Sequence, residues 1–351
     1  MRRILSVSAL VLGVLLIVLA GLAKWVVAPR MTMLPGDTDT LRVYTGTAAV
    51  MSNPTALTGT LYGPGLLRDV PVTVRHSDKV LRTDGRTALV LDKRVVSMPG
   101  YTVADLAYQF GIDRKTFLPA GDFTGADPAR GVIFNFPMGT QQRDYQGWVP
   151  DIGRTTTLQY AGQQRVAGVD TYVFKADGPA YDITDPELLK ILPPSMSKKD
   201  LLQLTPSLGY SKAKLLRLDK KLSALPDPVP MAYTYQGSAT IWVAPDSGVI
   251  VDMIQHEVRT SEFVDGAKRI PASPVMDMTY RYTPATVAAA AQDAKDAIRG
   301  IQLIEVTLPL VLLGGGVVLL VLGWALRPRR RHEPPAGIPE EADLYELVGT
   351  H

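Results

Sequence analysis

Two long apolar runs, one near each end of the chain, constrain the fold more than any other feature of the sequence. Residues 4–23 and residues 306–326 contain no charged side chain. At a rise of about 1.5 Å per residue, each run extends about 30 Å as a helix, which matches the hydrocarbon core of a bilayer. The sequence therefore predicts an N-terminal transmembrane anchor over residues 1–27 and a second transmembrane helix over residues 301–326.

Basic residues outside the two runs predict the orientation. Arg2 and Arg3 precede the first run, and four arginines lie among residues 327–331. Because Lys and Arg are enriched on the cytoplasmic side, we predict a two-pass protein of the cell membrane with both termini in the cytoplasm. Residues 28–300 are then extracytoplasmic, and residues 327–351 form a disordered cytoplasmic tail. A cleaved signal peptide is the alternative for the first run, which is however longer than a usual signal core.

Small residues in both apolar runs favour pairing of the two helices. Ala9 and Gly13 are four residues apart in the first run, and residues 314–316 of the second are all glycine. Small side chains let helix backbones approach closely in lipid. Glycine is also common in membrane helices that do not pair.

Strand-like patterns dominate the region between the two runs. β-branched and aromatic residues recur in short segments separated by turn residues, which indicates antiparallel strands. The clearest turn is residues 245–248, Pro-Asp-Ser-Gly, and a second hairpin turn is predicted at residues 161–164. Predicted strands are residues 41–51, 70–74, 87–96, 155–160, 169–176, 238–243, 249–258 and 276–282.

Four helical segments are predicted within this region. They are residues 103–110 with Thr102 as N-cap, residues 185–192 with Pro186 in the first turn, residues 211–225 and residues 285–299. The resulting fold class is a mostly β extracytoplasmic domain, a large antiparallel sheet that is cupped or barrel-like, with a few helical insertions and two flanking transmembrane helices.

Composition excludes several functions. The chain has no cysteine, which excludes disulfides and thiolate metal sites. The net charge is only +3, and no long basic stripe with interleaved aromatics is present. We therefore predict no binding of nucleic acid.

Motifs for catalysis or metal binding are weak. Ser195 and Lys198 match the S-x-x-K pattern of penicillin-recognising enzymes, but they lie in a polar connection and no K-T-G follows. His256 precedes a glutamate without the second histidine of a zinc helix. Asp37 and Asp39 could hold a cation through water, although a solvated turn is the more ordinary interpretation. The sequence therefore predicts no enzyme, no cofactor and no metal site.

A basic helical segment is the one candidate contact site. It carries Lys212, Lys214, Arg217, Lys220 and Lys221 beside leucines at helical spacing. Such an amphipathic helix can lie on anionic lipid headgroups. The alternative is an ordinary surface helix whose leucines pack on the sheet.

Several sequence segments together resemble a known family. They are Leu34-Pro35, Tyr44-Thr45-Gly46, Phe134-Asn135-Phe136-Pro137, the segment from Tyr145 to Trp148, and residues 166–174, 241–251 and 285–299. The chain resembles the PorA family of actinobacterial membrane proteins of unknown function, over nearly its whole length. The resemblance implies a cell-envelope protein, but the segments are turns and strand aromatics that name no reaction. A porin does not follow, since transmembrane β-barrels combine many strands with no apolar helices.

Two functions fit this sequence. The first is a membrane-tethered binding module for a lipid or other apolar envelope molecule, since cupped sheets and barrels enclose apolar ligands. The alternative is a scaffold without enzymatic activity that links envelope partners, with protein partners held by residues 342–348 of the tail. Membrane lipids are partners in either case. An apolar cavity would favour the binding module, and a solid core would favour the scaffold.

Overall fold

The computed structural model describes residues 2–31, 33–53, 65–204 and 212–327. Its contacts divide the chain into two compact units. The ends of the chain, up to Ala28 and from Ile304, form the helical unit, and Pro29–Leu303 form the β unit.

Helices occupy both ends of the described chain and short stretches between the strands. Two π-helical turns, Ala23–Val27 and Leu303–Thr307, lie beside the terminal helices. The helices are α1 (Arg2–Leu22), α2 (Ala28–Met31), α3 (Pro186–Ile191), α4 (Lys198–Leu204), α5 (Lys212–Ala224), α6 (Pro284–Gln302) and α7 (Leu308–Ala325).

The helical unit is built on close packing of α1 against α7. A Cβ atom placed on Gly13 would lie 2.8 Å from the carbonyl oxygen of Gly316, so only glycine fits there. The hydroxyl of Ser6 donates a hydrogen bond to the carbonyl of Gly323 at 2.6 Å. Ser6 lies beside Gly323 and Gly13 lies beside Gly316, so residue numbers rise along α1 in the direction in which they fall along α7. The two helices are therefore antiparallel. The predicted pairing is confirmed, and both helical segments are long and apolar enough to cross a membrane.

The β unit is one curled antiparallel sheet, a half-barrel. In spatial order its main strands are β5-β4-β3-β1-β13-β12-β11-β8-β7-β6. The predicted fold class is confirmed. The strands are β1 (Asp39–Ser52), β2 (Leu66–Leu67), β3 (Val70–Asp84), β4 (Thr87–Met98), β5 (Tyr101–Asp113), β6 (Tyr145–Val149), β7 (Arg154–Val166), β8 (Val169–Asp177), β9 (Tyr181–Asp182), β10 (Ser195–Met196), β11 (Val229–Val243), β12 (Ile250–Asp265) and β13 (Lys268–Tyr282).

The predicted helix over residues 103–110 is wrong, because this segment lies within β5. Leu106, Tyr108, Phe110 and Ile112 are buried while the residues between them are more exposed. That alternation is the period of a strand and not of a helix. Thr102 is no N-cap, since it pairs with Ser97 of β4.

The predicted hairpin turn at residues 161–164 is also wrong. Those residues lie inside β7, where the register shifts between Tyr160 and Gly162, as expected of a β-bulge. The chain reverses later, at Ala167 and Gly168, which have φ angles of +48° and +78°. Two consecutive residues with positive φ are typical of a tight hairpin turn.

The turn at residues 245–248 and three other helices follow the prediction. Gly248 has a φ of +74° and its N–H donates to Ala244 at 2.8 Å. Asp185 caps α3 by accepting from the N–H groups of Glu187 and Leu188. α5 and α6 agree with the predicted helices over residues 211–225 and 285–299 to within a few residues, although Ser211 itself lies outside the described residues.

Replacing Ser6 and Gly323 with cysteine tests the helix pair. The chain has no cysteine of its own, and the two backbones touch at this point. We expect the double variant of the full chain in detergent to form an intramolecular disulfide under mild oxidation, because the Ser6 side chain already reaches the backbone of Gly323. A Cβ at position 323 would lie 2.8 Å from the Leu10 side chain, which must shift to admit it. Non-reducing electrophoresis after a single protease cut between the helices measures it.

The matched control is a cysteine pair at Val7 and Leu322, both of which are exposed. Equal crosslinking of both pairs would contradict the antiparallel packing through Gly13 and Gly316.

Candidate functional site

A cavity of about 690 Å³ lies within the curl of the sheet. Most of its wall is apolar and comes from strands and loops far apart in the sequence. Apolar lining residues include Leu106, Phe110, Phe117, Phe134, Leu158, Ile241 and Met253. The half-barrel is therefore not filled by its own side chains, unlike a small closed barrel.

Solvent-exposed lining residues mark the mouth of the cavity. Asp37 and Asp39 precede or begin β1, and Asp293 and Asp296 lie on α6. Asp39 forms an ion pair with Lys79 at 3.1 Å, and Asp293 forms one with Arg42 at 2.7 Å. The mouth of the cavity thus carries four aspartates, and ion pairs neutralise the charges of two of them.

A buried charge network stands at the base of the cavity. Glu257 on β12 is fully buried and accepts hydrogen bonds from Arg94 on β4 at 2.6 and 2.7 Å. Tyr280 on β13 accepts from Arg94 and donates to Glu257, both at 2.8 Å. Every one of these groups is paired, as a buried charge must be if the fold is to tolerate it.

A second half of the network joins β12 to the short 3-10 helix Pro150–Ile152. Arg259 on β12 donates through two nitrogens to Asp151, and its third nitrogen lies 3.4 Å from Glu257. Two arginines therefore share two carboxylates, and the network is electrically balanced.

Ionisation of the network follows from this pairing. Burial raises the pKa of Glu257, but Arg94 and Arg259 outweigh it, so the pKa lies below its ordinary value. Burial, together with the neighbouring Glu257, holds the pKa of Tyr280 well above its ordinary value. Glu257 is thus a carboxylate and Tyr280 a neutral phenol at physiological pH.

A separate polar cluster lines the cavity on β3 and β4. The Nε2 atom of His76 lies 3.1 Å from Asp92 and 3.7 Å from Asp78. Burial lowers the pKa of His76, but Asp92 and Asp78 together raise it to about 9. Burial also raises the pKa of Asp78, to about 7, against the opposing effect of His76. His76 Nε2 and Asp78 Oδ1 are buried atoms without a hydrogen-bond partner.

The segments that carry the family resemblance meet next to the cavity. The N–H of Phe136 donates to Gly248 at 3.1 Å, and the N–H of Thr140 donates to Pro245 at 2.8 Å. Phe136 stacks on Phe174 with ring centroids 4.6 Å apart, and Tyr145 packs edge-on against both rings. The aromatic cluster therefore connects three of the segments, and the backbone bonds to Pro245 and Gly248 connect a fourth.

Nearly the whole chain matches a known family. A family model described as "Porin PorA" matches residues 5–325. The chain belongs to the PorA family. A relative named Porin PorA, from Corynebacterium resistens (strain DSM 45100 / JCM 12819 / GTC 2026 / SICGH 158), is 25% identical over 309 residues, which are 75% of this chain and 73% of the relative. The family and the two apolar helical segments make this chain a membrane or cell-envelope protein.

The basic helix predicted as a headgroup contact does not line the cavity of this PorA-family chain. Arg217, Lys220 and Lys221 are exposed on α5, and the side chains of Lys212 and Lys214 lie outside the described residues. Contact with headgroups stays a prediction. Two of the predicted leucines, Leu222 and Leu225, pack in a buried cluster with Leu201, Val229 and Phe263.

Other motif residues have structural roles. His256 is a half-exposed strand histidine on β12, and its Nε2 lies 2.9 Å from Asp277. In the S-x-x-K pattern, Ser195 pairs with Pro230 of β11, and Lys198 donates to the carbonyl of Ser223 at 3.1 Å. Asp37 and Asp39 lie in an exposed turn and strand start, as the ordinary interpretation predicts.

Sequence analysis missed the two polar clusters of the cavity. One signal was available. Glu257, Arg259 and Ser261 alternate in step with Phe263 along β12, so all four side chains lie on one face of the strand. Because Phe263 predicts that this face is buried, the charged residues are expected to point inward. The oppositely charged partners of Arg259 and Glu257, however, lie 108 and 163 residues away in the chain, and no local pattern identifies them.

Glu257→Gln tests the charge network. We expect the full-length variant to lose about 3–5 kcal/mol of stability, because Arg94 and Arg259 keep their buried charges without this carboxylate. Thermal and denaturant unfolding followed by circular dichroism measure the loss. The control is Glu262→Gln on the opposite face of β12, which should change little. Equal effects would contradict a stabilising role for the network.

The contribution of Glu257 should also depend on pH. Its pKa in the folded protein is below the ordinary value of 4.5, so its stabilising effect is present above that value and is lost as the pH falls through the folded-state pKa. We expect the stability difference between wild type and Glu257→Gln to shrink between about pH 5 and about pH 3. A constant difference over this range would contradict the ionised pairing.

Proposed function

We propose that this PorA-family protein binds a lipid or other amphiphilic molecule of the cell envelope in the cavity of its β unit. The cavity is the observation that carries the proposal. Its volume of about 690 Å³ is within the range of about 300–1,000 Å³ typical of small-molecule sites. It acts as a binding module and not as an enzyme.

The lining supports an amphiphile more than a wholly apolar ligand. Aliphatic and aromatic side chains form the walls, while Arg94, Tyr280 and Gln255 bring hydrogen-bonding groups to one side. The buried charges there are balanced, and the mouth carries aspartates. A ligand with an apolar chain and a neutral polar head, such as a hydroxylated or glycosylated lipid, fits this distribution better than a strongly anionic one.

Topology is part of the proposal. The two apolar helical segments cross the membrane, both termini lie in the cytoplasm, and the β unit is extracytoplasmic. Residues 28–300 are thus held beside the bilayer that supplies the ligand. Exposed Arg217, Lys220 and Lys221 on α5 contact anionic headgroups of that bilayer.

The name of the relative raises the possibility of a pore. A sheet that crosses a membrane must be closed, because lipid satisfies no backbone hydrogen bonds. In the part of the chain that the structure describes, β5 and β6 stand at opposite ends of the strand order and do not pair with each other. This favours binding over a strand-lined pore. A scaffold role with protein partners on the tail, whose residues 328–351 lie outside the described residues, remains the second candidate.

Blocking the cavity tests the proposal. Ala239 lines the cavity from β11, and Ala232, seven residues earlier on the opposite face of that strand, does not. We expect the full-length wild type, purified in detergent, to retain about one co-purifying lipid per chain. Ala239→Trp should lose it, and Ala232→Trp should keep it. Mass spectrometry of the intact protein and of extracted lipids measures both.

Both variants carry the same helices, so annular lipid cancels in the comparison. Identical lipid content in wild type and Ala239→Trp would overturn the proposal and favour the scaffold. Discrete conductance steps in planar bilayers, abolished by Ala239→Trp, would overturn it in favour of a pore.

A further inference from the structure

The cavity wall contains an arrangement that the proposed function does not use. Asp78 on β3 and Asp92 on β4 are direct cross-strand partners. Like charges placed directly opposite each other destabilise a sheet. Their side chains are only 13% and 12% exposed, and His76 lies on the same face, two residues before Asp78. A protonated side chain or a bound cation must lie among these three groups for the arrangement to persist.

Neighbouring arginines supply that charge only in part: Arg42 lowers the pKa of Asp78 against the effect of burial, but both arginines are engaged elsewhere. Arg94 is opposite His76 in the sheet, but its guanidinium is taken by Glu257 and Tyr280. Arg42 pairs with Asp293 at 2.7 Å. The two aspartates therefore depend on the imidazole of His76 or on a bound cation.

The geometry suits a shared cation better than a direct hydrogen bond. His76 Nε2 is 3.1 Å from Asp92, yet neither it nor Asp78 Oδ1 has a hydrogen-bond partner of acceptable geometry, and both atoms are buried. Ligand atoms bonded to one metal ion at about 2.1 Å with tetrahedral angles lie about 3.4 Å from each other. The separations of 3.1 and 3.7 Å from His76 bracket that value, and all three ligand atoms lie within 4.8 Å of one another.

We propose that His76, Asp78 and Asp92 bind a divalent first-row transition-metal ion, with its remaining coordination positions open to the cavity. One imidazole nitrogen and two carboxylate oxygens are donors suited to Zn²⁺, Mn²⁺ or Co²⁺. The ligands come from adjacent, well-paired strands, so the site is preformed by the sheet. Metal binding places a positive charge between the two aspartates. The proposal is independent of what the cavity holds.

The probe is Co²⁺, added to the full-length protein in detergent after treatment with a chelator. We expect one Co²⁺ per chain, with visible d–d absorption that Zn²⁺ abolishes. Loss of an outer-shell partner alone typically weakens metal binding about 10–100-fold, so loss of a direct ligand in His76→Gln or Asp92→Asn should weaken Co²⁺ binding at least tenfold. The matched control is His256→Gln, which removes an exposed histidine beside a single aspartate.

A second measurement keeps the test decisive if a variant folds poorly. Zn²⁺ should raise the unfolding temperature of wild type and of His256→Gln, because an ion that binds only the folded state stabilises it, and it should not raise that of His76→Gln. Absence of stoichiometric Co²⁺ in wild type, or equal affinity in His76→Gln and His256→Gln, would overturn the proposal. Either result would assign His76 as a protonated counter-ion of the two aspartates. Lipid content in the cavity-blocking experiment is a separate readout and fails or succeeds separately.

Discussion

The ion pair between Arg94 and Glu257 is the interaction on which the shape of the β unit depends. Their strands, β4 and β12, are four steps apart in the order β4-β3-β1-β13-β12. In a flat sheet that separation would be about 19 Å, since neighbouring strands lie about 4.8 Å apart, which is more than the two side chains bridge. Their contact at 2.6 Å therefore requires the sheet to curl. Because both groups are buried, the curl cannot relax without exposing or unpairing a charge.

The curl of the sheet encloses the space that forms the cavity. The ion pair joins β4 to β12 across the curl. The curl therefore does not depend on side chains from the two strands interdigitating. Arg259 and Asp151 extend the same constraint to the loop before β7, and Tyr108 donates to Asp185 at 2.5 Å to fix α3 against β5. Large apolar side chains such as Phe110 and Phe134 pack with Phe117 in one buried cluster and also line the cavity. This mixed polar and apolar lining is the basis on which we propose an amphiphilic ligand.

Features that depend on residues close together in the sequence were predicted correctly more often than features that depend on distant residues. The apolar helices and the turn at Gly248 are local, and their patterns predicted them correctly. The helix predicted at residues 103–110 failed because alanines gave it helical propensity while the alternation of Leu106, Tyr108 and Phe110 carried the true signal. The parity of Glu257 and Arg259 places charges on the inward face, but the partners within the two polar clusters could not be predicted. Asp78 and Asp92 become neighbours only through the register of β3 and β4, and Arg94 reaches Glu257 only once the sheet has curled.

The segments shared with the PorA family can be understood in the same physical terms. None of them supplies a residue of the charge network, yet four of them meet beside the cavity, at Phe136, Tyr145, Phe174 and Gly248. Phe136 lies on a loop without regular structure, and its backbone is bonded to Gly248, whose Cβ would come within 2.0 Å of the Phe136 carbonyl if it had one. Phe174 of β8 and Tyr145 of β6 then pack on Phe136. A glycine at this turn thus lets a loop close one side of the cavity, so these segments preserve the enclosure itself, whatever molecule occupies it.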